Sequence, residues 1–428
     1  MWKSILKQMW NRKRSNSWIA IELLLVFCIT WYIVDYLFVF GYNSSLTNYR
    51  NVENTLQINM SEFDKDHPGY DPESNAPEAL EANYSRILQT IRNYPGIEAV
   101  GISFDSSTPA GGGMSRTRLR NAKDTTHMTM GQVITIDPNE DYFKVFGLSM
   151  DKGKKKISTK DFNWSPNGII INQFAADKLF PTGFTTGSEL EGFGQRFYVI
   201  LGVIDDNKRF DYLRPQGYYY FSRKLDATNL NDAEISVRYS SSLPEKKFID
   251  RFKSDMTTSL QIGNFYLLSI IPYTKIRQNS TKSFGISNDL KKRIYLTIFF
   301  LVSIFLCVIG AFWYRINLRR NEIGLRKAMG ASRFSIHYSL IIEGVWLLII
   351  VLLPAMLIEF QFVHAGLIDT LGRQQTPDPQ FLPDRTFLRF LITNAITFIL
   401  LFIVIVSAIW LPARKGASLQ PADALHYE

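Results

Sequence analysis

The chain has 428 residues, enough for about two or three domains of ordinary size. It carries 48 basic and 39 acidic residues, a formal charge of +9, and 46% of its residues are hydrophobic. This composition is too apolar for a disordered chain, and two cysteines cannot form a disulfide scaffold. The positive charge is compatible with a nucleic-acid partner, another anionic partner or a membrane protein with one basic face.

Four apolar segments predict four transmembrane helices, at 18–41, 294–314, 338–358 and 387–411. Each is about 20 residues or longer, which is what a helix needs to cross the hydrocarbon core. Trp and Tyr residues lie near their ends, as is typical at a membrane interface. The first segment is longer than the apolar core of a cleaved signal peptide, and no small-residue cleavage site follows it. We therefore interpret it as a signal anchor.

Most of the excess positive charge lies in the N-terminal segment 1–17, the linker 315–337 and the tail 412–428. By the positive-inside rule these pieces face the cytoplasm, so both termini are predicted inside the cell. The charge thus indicates membrane orientation and gives no support for a nucleic-acid partner. The predicted segments, in order, are 1–17 cytoplasmic, 18–41 first span, 42–290 outer domain, 291–314 second span with a stalk, 315–337 cytoplasmic linker, 338–358 third span, 359–386 outer loop, 387–411 fourth span and 412–428 cytoplasmic tail.

The segment 42–290 predicts an α+β domain with more than one small sheet, because strand and helix patterns alternate along it. The fold class is therefore a membrane α-helical protein with four transmembrane helices and an inserted α+β extracytoplasmic domain. Strands are predicted at 97–103, 131–137, 196–206 and 233–239, helices at 76–93 and 244–256, a turn with a short helix at 137–147, and a strand followed by a helix at 168–181.

Segment 105–130 contains three consecutive glycines together with Arg116, Arg118 and Arg120, and it predicts a loop. The glycines are compatible with an anion cradle, but a flexible surface loop is the simpler interpretation. The five histidines have no metal-ligand spacing, and no G-x-S-x-G motif occurs. The sequence therefore predicts neither a metal site nor a catalytic residue.

The linker sequence RRNEIGLRKAMGASR, residues 319–333, predicts a short surface helix. Asn321 is the predicted N-cap, and Glu322 lies in the first turn, four residues before Arg326. Gly330 is suited to a left-handed C-cap, and Ser332 to capping the next helix. The alternative is a basic juxtamembrane linker that only fixes the topology.

Three acidic residues lie inside the predicted spans, namely Glu22, Asp35 and Glu343. Acidic side chains at membrane depth are costly and are often functional. Because each lies near the end of a span, the alternative is that they snorkel or pair with a nearby Arg or Lys.

The linker resembles the coupling segment of MacB/FtsX-type ABC transporter permeases, with a pattern close to R-x-x-E-I-G-x-x-[KR]-A-x-G-A. The tail resembles that family's ending, P-A-x-x-A-x-x-x-x-P-x-x-A-L, with Gly416 in place of the usual Ala. The outer domain resembles the MacB-like periplasmic domain in the stretches YPGIEAVGIS, DYFKVFGLSMDKG, INQFAADKLFP and VILGVIDD. One span before the domain and three after it are the order found in such permeases.

This resemblance implies a permease that couples ATP hydrolysis by a separate ABC ATPase to conformational work on the periplasmic side, a mechanism termed mechanotransmission. The chain has no G-x-x-x-x-G-[KT] loop, so it is expected not to be an enzyme. No cofactor is expected to bind directly, and ATP and Mg²⁺ act through the partner. The implied coupling residues are Arg319, Arg320, Glu322, Ile323, Gly324, Leu325, Arg326, Lys327, Ala328, Met329, Gly330 and Ala331. The implied tail residues are Pro412, Ala413, Arg414, Pro421 and Leu425.

The resemblance also implies the partners and the location. They are an ABC ATPase, a second permease that is either identical or a paralogue, membrane lipid, and as further candidates a periplasmic adaptor and an outer-membrane channel. The location is the bacterial inner membrane. The favoured function is export or efflux of amphipathic compounds, peptides or lipoproteins. The alternative is an FtsX-like regulator that activates a periplasmic cell-wall hydrolase. A sensor receptor is disfavoured, because no kinase or HAMP-like segment follows the second span.

Overall fold

The computed structural model describes residues 13–104, 115–184, 186–240, 244–367 and 381–418. The chain divides into two compact units. The membrane unit comprises Met1–Asn43 and Ser287–Glu428, and the inserted domain comprises Ser44–Ile286.

Ten helices and twelve strands occur within the described residues. The helices are α1 Lys13–Ser45, α2 Pro77–Arg92, α3 Tyr142–Val145, α4 Gln173–Leu179, α5 Glu245–Ser259, α6 Tyr273–Ser283, α7 Ile286–Leu318, α8 Arg320–Ala328, α9 Arg333–His364 and α10 Thr386–Ser418. The strands are β1 Thr55–Glu62, β2 Ile97–Phe104, β3 Arg116–Asn121, β4 Met128–Ile136, β5 Ser149–Met150, β6 Lys155–Lys156, β7 Gly168–Asn172, β8 Glu189–Glu191, β9 Phe197–Ile204, β10 Gly217–Ser222, β11 Ala233–Tyr239 and β12 Phe265–Pro272.

Four of the helices, α1, α7, α9 and α10, are long and apolar enough to cross a membrane. They contain the four segments predicted from hydropathy, and each helix extends beyond its predicted ends. Helices of 32 or 33 residues are about 50 Å long, more than the hydrocarbon core of about 30 Å. Their polar ends therefore continue as helix past the apolar stretch.

The four spanning helices share one apolar core, to which they contribute among others Phe27, Phe312, Leu348 and Ile405. Helix α9 lies against α10 at Gly344. A Cβ atom placed there would lie 2.1 Å from Cδ1 of Ile409, so a larger residue fits only if that side chain shifts.

The inserted domain is built on a ten-stranded sheet with the order β10-β7-β9-β8-β3-β4-β2-β11-β1-β12. Strand β10 also pairs with β4, in parallel, so that six of the strands close a ring: β3, β4, β10, β7, β9 and β8. The other four strands form an open flank, which ends at the antiparallel pair of β1 and β12. In that pair Leu56, near the start of β1, lies opposite Pro272, the end of β12.

Helices α2 and α5 cover the flank. Their buried residues recur at helical spacing, such as Ile87 and Ile91 in α2 and Phe248 and Phe252 in α5. These side chains pack with buried residues of β1, β2 and β11 in one cluster, while the short helix α4 packs within the ring. The predicted helices and strands at 76–93, 97–103, 168–181, 196–206, 233–239 and 244–256 all correspond to observed elements.

Two expectations for this domain are wrong. The sheet is one large sheet with a separate two-stranded hairpin of β5 and β6, rather than several small sheets. Segment 105–130 is also not a loop throughout, since residues 116–121 form β3. Leu119 is its one buried residue, and pairing with β4 and β8 rather than a local apolar pattern holds the strand in place. The three glycines at 111–113 lie outside the described residues.

Candidate functional site

Helix α8 follows α7 with almost no interruption. The N–H of Arg319 donates to the carbonyl of Arg315 at 3.0 Å, and the N–H of Ile323 donates to the carbonyl of Arg319 at 2.9 Å. Arg319 occupies the N-cap position without a side-chain cap, so the prediction of Asn321 as N-cap is wrong. The chain leaves the helical path only at Arg319, and Asn321 therefore already lies inside α8. The backbone of α8 thus follows that of α7 with a single residue between the two helices.

Other local predictions for α8 are confirmed. Arg326 donates to the carboxylate of Glu322 at 2.6 Å, one turn apart. Gly330 has φ +94°, a conformation that glycine adopts at little cost. It directs the chain into α9, where the hydroxyl of Ser332 accepts from the N–H of Ser335 at 3.1 Å.

One face of α8 is buried and another is exposed and apolar. Ile323 and Gly324 are buried. Leu325, Ala328 and Met329 share the opposite side at helical spacing, and Leu325 and Met329 are 53% and 72% exposed. We call these three residues the α8 patch. The α8 patch is therefore a small exposed apolar surface on a basic helix.

The charges around α8 are mostly positive. Desolvation, together with the charge of Arg333, lowers the pKa of Lys327. Arg326 is paired with Glu322, and the side chains of Arg320 and Lys327 are half-buried.

A buried ionic cluster joins α7 to α9 next to this helix. Glu343 of α9 accepts from Arg315 and Arg319 at 2.8 Å each. The three side chains are only 6%, 6% and 10% exposed for Glu343, Arg315 and Arg319 respectively. The acid singled out in the third span is therefore paired. Arg319, which the family pattern places in the coupling segment, points inward to it.

A second buried pair lies near the other end of the spanning helices. Asp35 of α1 pairs with the guanidinium of Arg389 of α10, and both side chains are less than 10% exposed. One turn along each helix, the indole N–H of Trp31 donates to the hydroxyl of Thr393 at 3.0 Å. Together these contacts fix α1 against α10. Glu22 has a different partner, since it accepts from the thiol of Cys307 of α7 at 2.7 Å.

The sequence analysis missed one buried acid. Glu359 in α9 is fully buried, and its carboxylate faces Asn394 of α10. It follows the predicted third span by a single residue, so the hydropathy boundary at 358 hid it. An acidic residue directly after an apolar run was the available indication.

The described part of the tail packs on α7. Pro412 and Ala413 are buried, and Arg414 is exposed. At Gly416 a Cβ atom would lie 2.9 Å from Cγ2 of Ile316, which accounts for glycine where the family pattern has alanine. Pro421 and Leu425 lie outside the described residues.

Within the described parts of the chain, no group of three or more His, Cys, Asp or Glu side chains could hold a metal ion. The distinctive features of the membrane unit are a short amphipathic helix between two spans and a buried ionic cluster beside it.

Two family models match the chain. The MacB-like periplasmic core domain matches residues 25–253, and the FtsX-like permease C-terminal domain matches residues 294–421. The second match contains α8, the cluster around Glu343 and the described tail.

Two curated relatives match about three quarters of the chain in sequence. An uncharacterized ABC transporter permease, YvrN of Bacillus subtilis (strain 168), is 26% identical over 350 residues, which are 75% of this chain and 77% of the relative. The probable syringafactin export ATP-binding/permease protein SyfD of Pseudomonas syringae pv. tomato (strain ATCC BAA-871 / DC3000) is 22% identical over 335 residues. This alignment covers 75% of this chain but only 45% of SyfD, so the chain spans less than half the length of that relative.

Two solved structures resemble part of the chain. The periplasmic region of MacB from Actinobacillus actinomycetemcomitans has a TM-score of 0.31 and 15% identity, and the match covers 54% of this chain and 93% of that structure. The extracellular domain of the transporter YknZ from Gram-positive bacteria has a TM-score of 0.29 and 16% identity, with coverages of 50% and 100%.

Because these TM-scores are low, the assignment to a family depends on the sequence matches. The periplasmic-core model covers more than half of the chain, and the permease model covers the region that contains the last three spanning helices. The chain belongs to the MacB/FtsX-type ABC transporter permeases.

Proposed function

We propose that the chain is the permease subunit of a complex with a separate ABC ATPase, and that the ATPase acts on the α8 patch. The observation that carries this proposal is the exposure of Leu325 and Met329 on a short helix between two spanning helices. A partner that covers them removes apolar surface from water, which is favourable by about 25 cal/mol per Å². The positive charge around Lys327 favours a partner with an acidic rim.

The contacts inside the membrane unit provide a route for the movement. Helix α8 continues the backbone of α7, and the cluster of Arg315, Arg319 and Glu343 joins α7 to α9. A push on α8 would therefore be resisted by two spanning helices at once. In this proposal the work is transmitted along α7 to the inserted domain, and no substrate path crosses the membrane.

The remaining assignments follow from the same proposal. Both termini and α8 lie in the cytoplasm and the inserted domain lies outside the inner membrane. ATP and Mg²⁺ are bound by the ATPase, and a second permease, identical or paralogous, completes the assembly. SyfD is named as a probable export protein, and this supports export of an amphipathic compound, peptide or lipoprotein. A periplasmic adaptor and an outer-membrane channel are the further partners of an efflux complex of this kind.

The test compares two leucines of similar exposure. Leu325 is 53% exposed in α8, and Leu268 is 57% exposed in β12 of the inserted domain. The ABC ATPase that co-purifies with the wild-type chain is assayed with Leu325→Asp and with Leu268→Asp, and ATP hydrolysis and co-purification are both measured.

We expect Leu325→Asp to reduce co-purification and stimulated hydrolysis by about tenfold or more, as truncation of a central interface residue does. Leu268→Asp should leave both unchanged. Equal activity of the two variants would overturn the assignment of α8. Capture of a cell-wall hydrolase instead of an adaptor and channel by the wild-type complex would favour the regulator function over export.

A further inference from the structure

The inserted domain contains an open cleft of about 740 Å³ on the outside of its strand ring. We call it the β3–β4 cleft. It lies where β3, the start of β4 and the turn after β8 meet. The residues that matter here are Arg116, Arg118, Arg120, Met128, Met130 and Phe193.

The cleft carries positive charge that the domain does not neutralise. Because side chains alternate along a strand, Arg116, Arg118 and Arg120 all point to the same face of β3. Glu191 binds Arg120 through two hydrogen bonds, of 2.5 and 3.0 Å. Within the described residues no carboxylate lies within ion-pair distance of Arg116 or Arg118. Both side chains are exposed, so two guanidinium groups remain available in the cleft.

Burial is the main cause that lowers the pKa of the neighbouring Arg209, and the charge of Arg116 lowers it further. Arginine also recognises carboxylate and phosphate through two parallel hydrogen bonds, which gives the contact direction as well as strength.

Beside these charges the cleft exposes three large apolar side chains. The strand register places Met130 opposite Arg118 and Met128 opposite Arg120. The two methionines are 46% and 54% exposed, and Phe193 is 94% exposed. Phe193 is held on a turn whose next two residues, Gly194 and Gln195, both have positive φ, so its exposure is built into the backbone. Unbranched methionine side chains adapt readily to a flexible apolar ligand.

We propose that the β3–β4 cleft binds a single-chain amphiphile with an anionic head group. The head group pairs with Arg116 and Arg118, and the aliphatic chain lies over Met128, Met130 and Phe193. The volume of the cleft is that of a small-molecule site, for which the usual range is roughly 300–1,000 Å³. This proposal deepens the export function above, on which it rests, by giving the substrate class and its first binding site.

The test uses a photoreactive N-acyl glutamate, with a diazirine in the acyl chain, and the full chain in lipid nanodiscs. After irradiation, mass spectrometry measures labelling in residues 115–133 and 189–197. Probe dissolved in the bilayer labels the spanning helices in every sample, and this labelling serves as the internal reference. No ATPase is present, so the result is independent of whether α8 is the coupling site.

The principal variant is Arg116→Glu with Arg118→Glu. The matched control is Arg86→Glu with Arg251→Glu, which changes the net charge equally at two exposed arginines of α2 and α5, outside the cleft and outside both labelled segments. We expect the principal variant to reduce cleft labelling about tenfold or more, because each lost charged hydrogen bond weakens binding strongly. The control should remain within about twofold of the wild type. The milder pair Arg116→Gln with Arg118→Gln should give an intermediate loss.

Two results would overturn the proposal. The first is cleft labelling that is absent in the wild type or equal in the wild type and the glutamate variant. The second is a competition result in which an acidic peptide without an acyl chain lowers cleft labelling as much as unlabelled N-acyl glutamate does. That result would identify a protein segment as the occupant.

Discussion

Removal of the Glu343 carboxylate should be among the most costly single changes in the membrane unit. Glu343→Gln keeps the shape of the side chain but removes the charge that Arg315 and Arg319 share at 2.8 Å each. Both guanidinium groups are at most 10% exposed, so water cannot replace the carboxylate without structural change. Breaking a buried ion pair by removing one partner typically costs about 3–5 kcal/mol.

The natural comparison is Glu322→Gln. Glu322 pairs with Arg326 one turn away, and these side chains are 36% and 40% exposed. A pair of this kind contributes only about 0.3–0.5 kcal/mol. The two variants make the same chemical change at two carboxylates on neighbouring helices, and they differ mainly in burial. The structure therefore predicts a difference of about 3 kcal/mol or more between them.

The assay is reversible unfolding of the purified chain in mixed micelles with increasing denaturing detergent, followed by tryptophan fluorescence. A triple variant with Met at Arg315 and Arg319 and Leu at Glu343 should recover most of the loss, because well-packed apolar side chains often replace a buried ionic cluster without cost. If Glu343→Gln and Glu322→Gln destabilise the chain equally, the cluster is not a buried structural element and the reasoning is wrong.

Two further predictions concern packing and pH. Gly344→Ala should destabilise the membrane unit by about 1–3 kcal/mol in the same unfolding assay, because the new Cβ atom would overlap a side chain of α10. The control is Gly310→Ala, where no atom lies within 4 Å of the new Cβ atom, and it should be neutral or slightly stabilising. Equal effects of the two variants would contradict the close contact of α9 and α10. In the inserted domain, burial raises the pKa of Asp206 to about 6 from 3.8. The folded state therefore binds the proton of Asp206 more tightly than the unfolded state does. The contribution of the protonated side chain to the free energy of unfolding is fully present below about pH 3.8. It is lost as the pH rises to about 6, by about 3 kcal/mol in all. The opening free energy of β7 and β9, measured by hydrogen exchange in the full chain, should fall over this pH range in the wild type and not in Asp206→Asn. An equal change with pH in both proteins would assign the effect to another titrating group.

The membrane part of the fold could be predicted from the sequence because hydropathy acts over whole helices. Twenty consecutive apolar residues indicate a span whatever their partners, and the four spans were found in this way. Their exact ends could not be found. The polar turns beyond each apolar stretch continue the helix without a hydropathy signal of their own. For the same reason the start of α8 lies before Asn321, the predicted N-cap.

In the inserted domain, too, some elements could be predicted from the sequence and others could not. Segments with a strong local pattern, such as the buried strand β7 followed by the helix α4, were predicted correctly. Strand β3 was not, since its sequence RTRLRN has a single buried residue, Leu119, and its neighbours β4 and β8 determine its conformation. A strand held by pairing alone leaves little trace in its own composition.

The candidate site shows the same limit. Hydropathy and the family pattern singled out Glu343 and the linker separately, but their connection through Arg315 and Arg319 depends on the packing of α7 against α9. The partner of Asp35 is 354 residues away in the chain. Ion pairs between distant segments have no period or spacing from which they could be read.

The inserted domain holds its C-terminal end by more than the pairing of β1 with β12. Leu56 and Pro272 are opposite each other in that pair. After Pro272 the chain does not leave the domain but forms α6, which packs on β1 and β12. Its first residue, Tyr273, is fully buried in the core of the domain, and its hydroxyl is 2.6 Å from that of Ser236 in β11. Tension on the chain between α6 and α7 would therefore have to extract a buried tyrosine before it could separate the two strands.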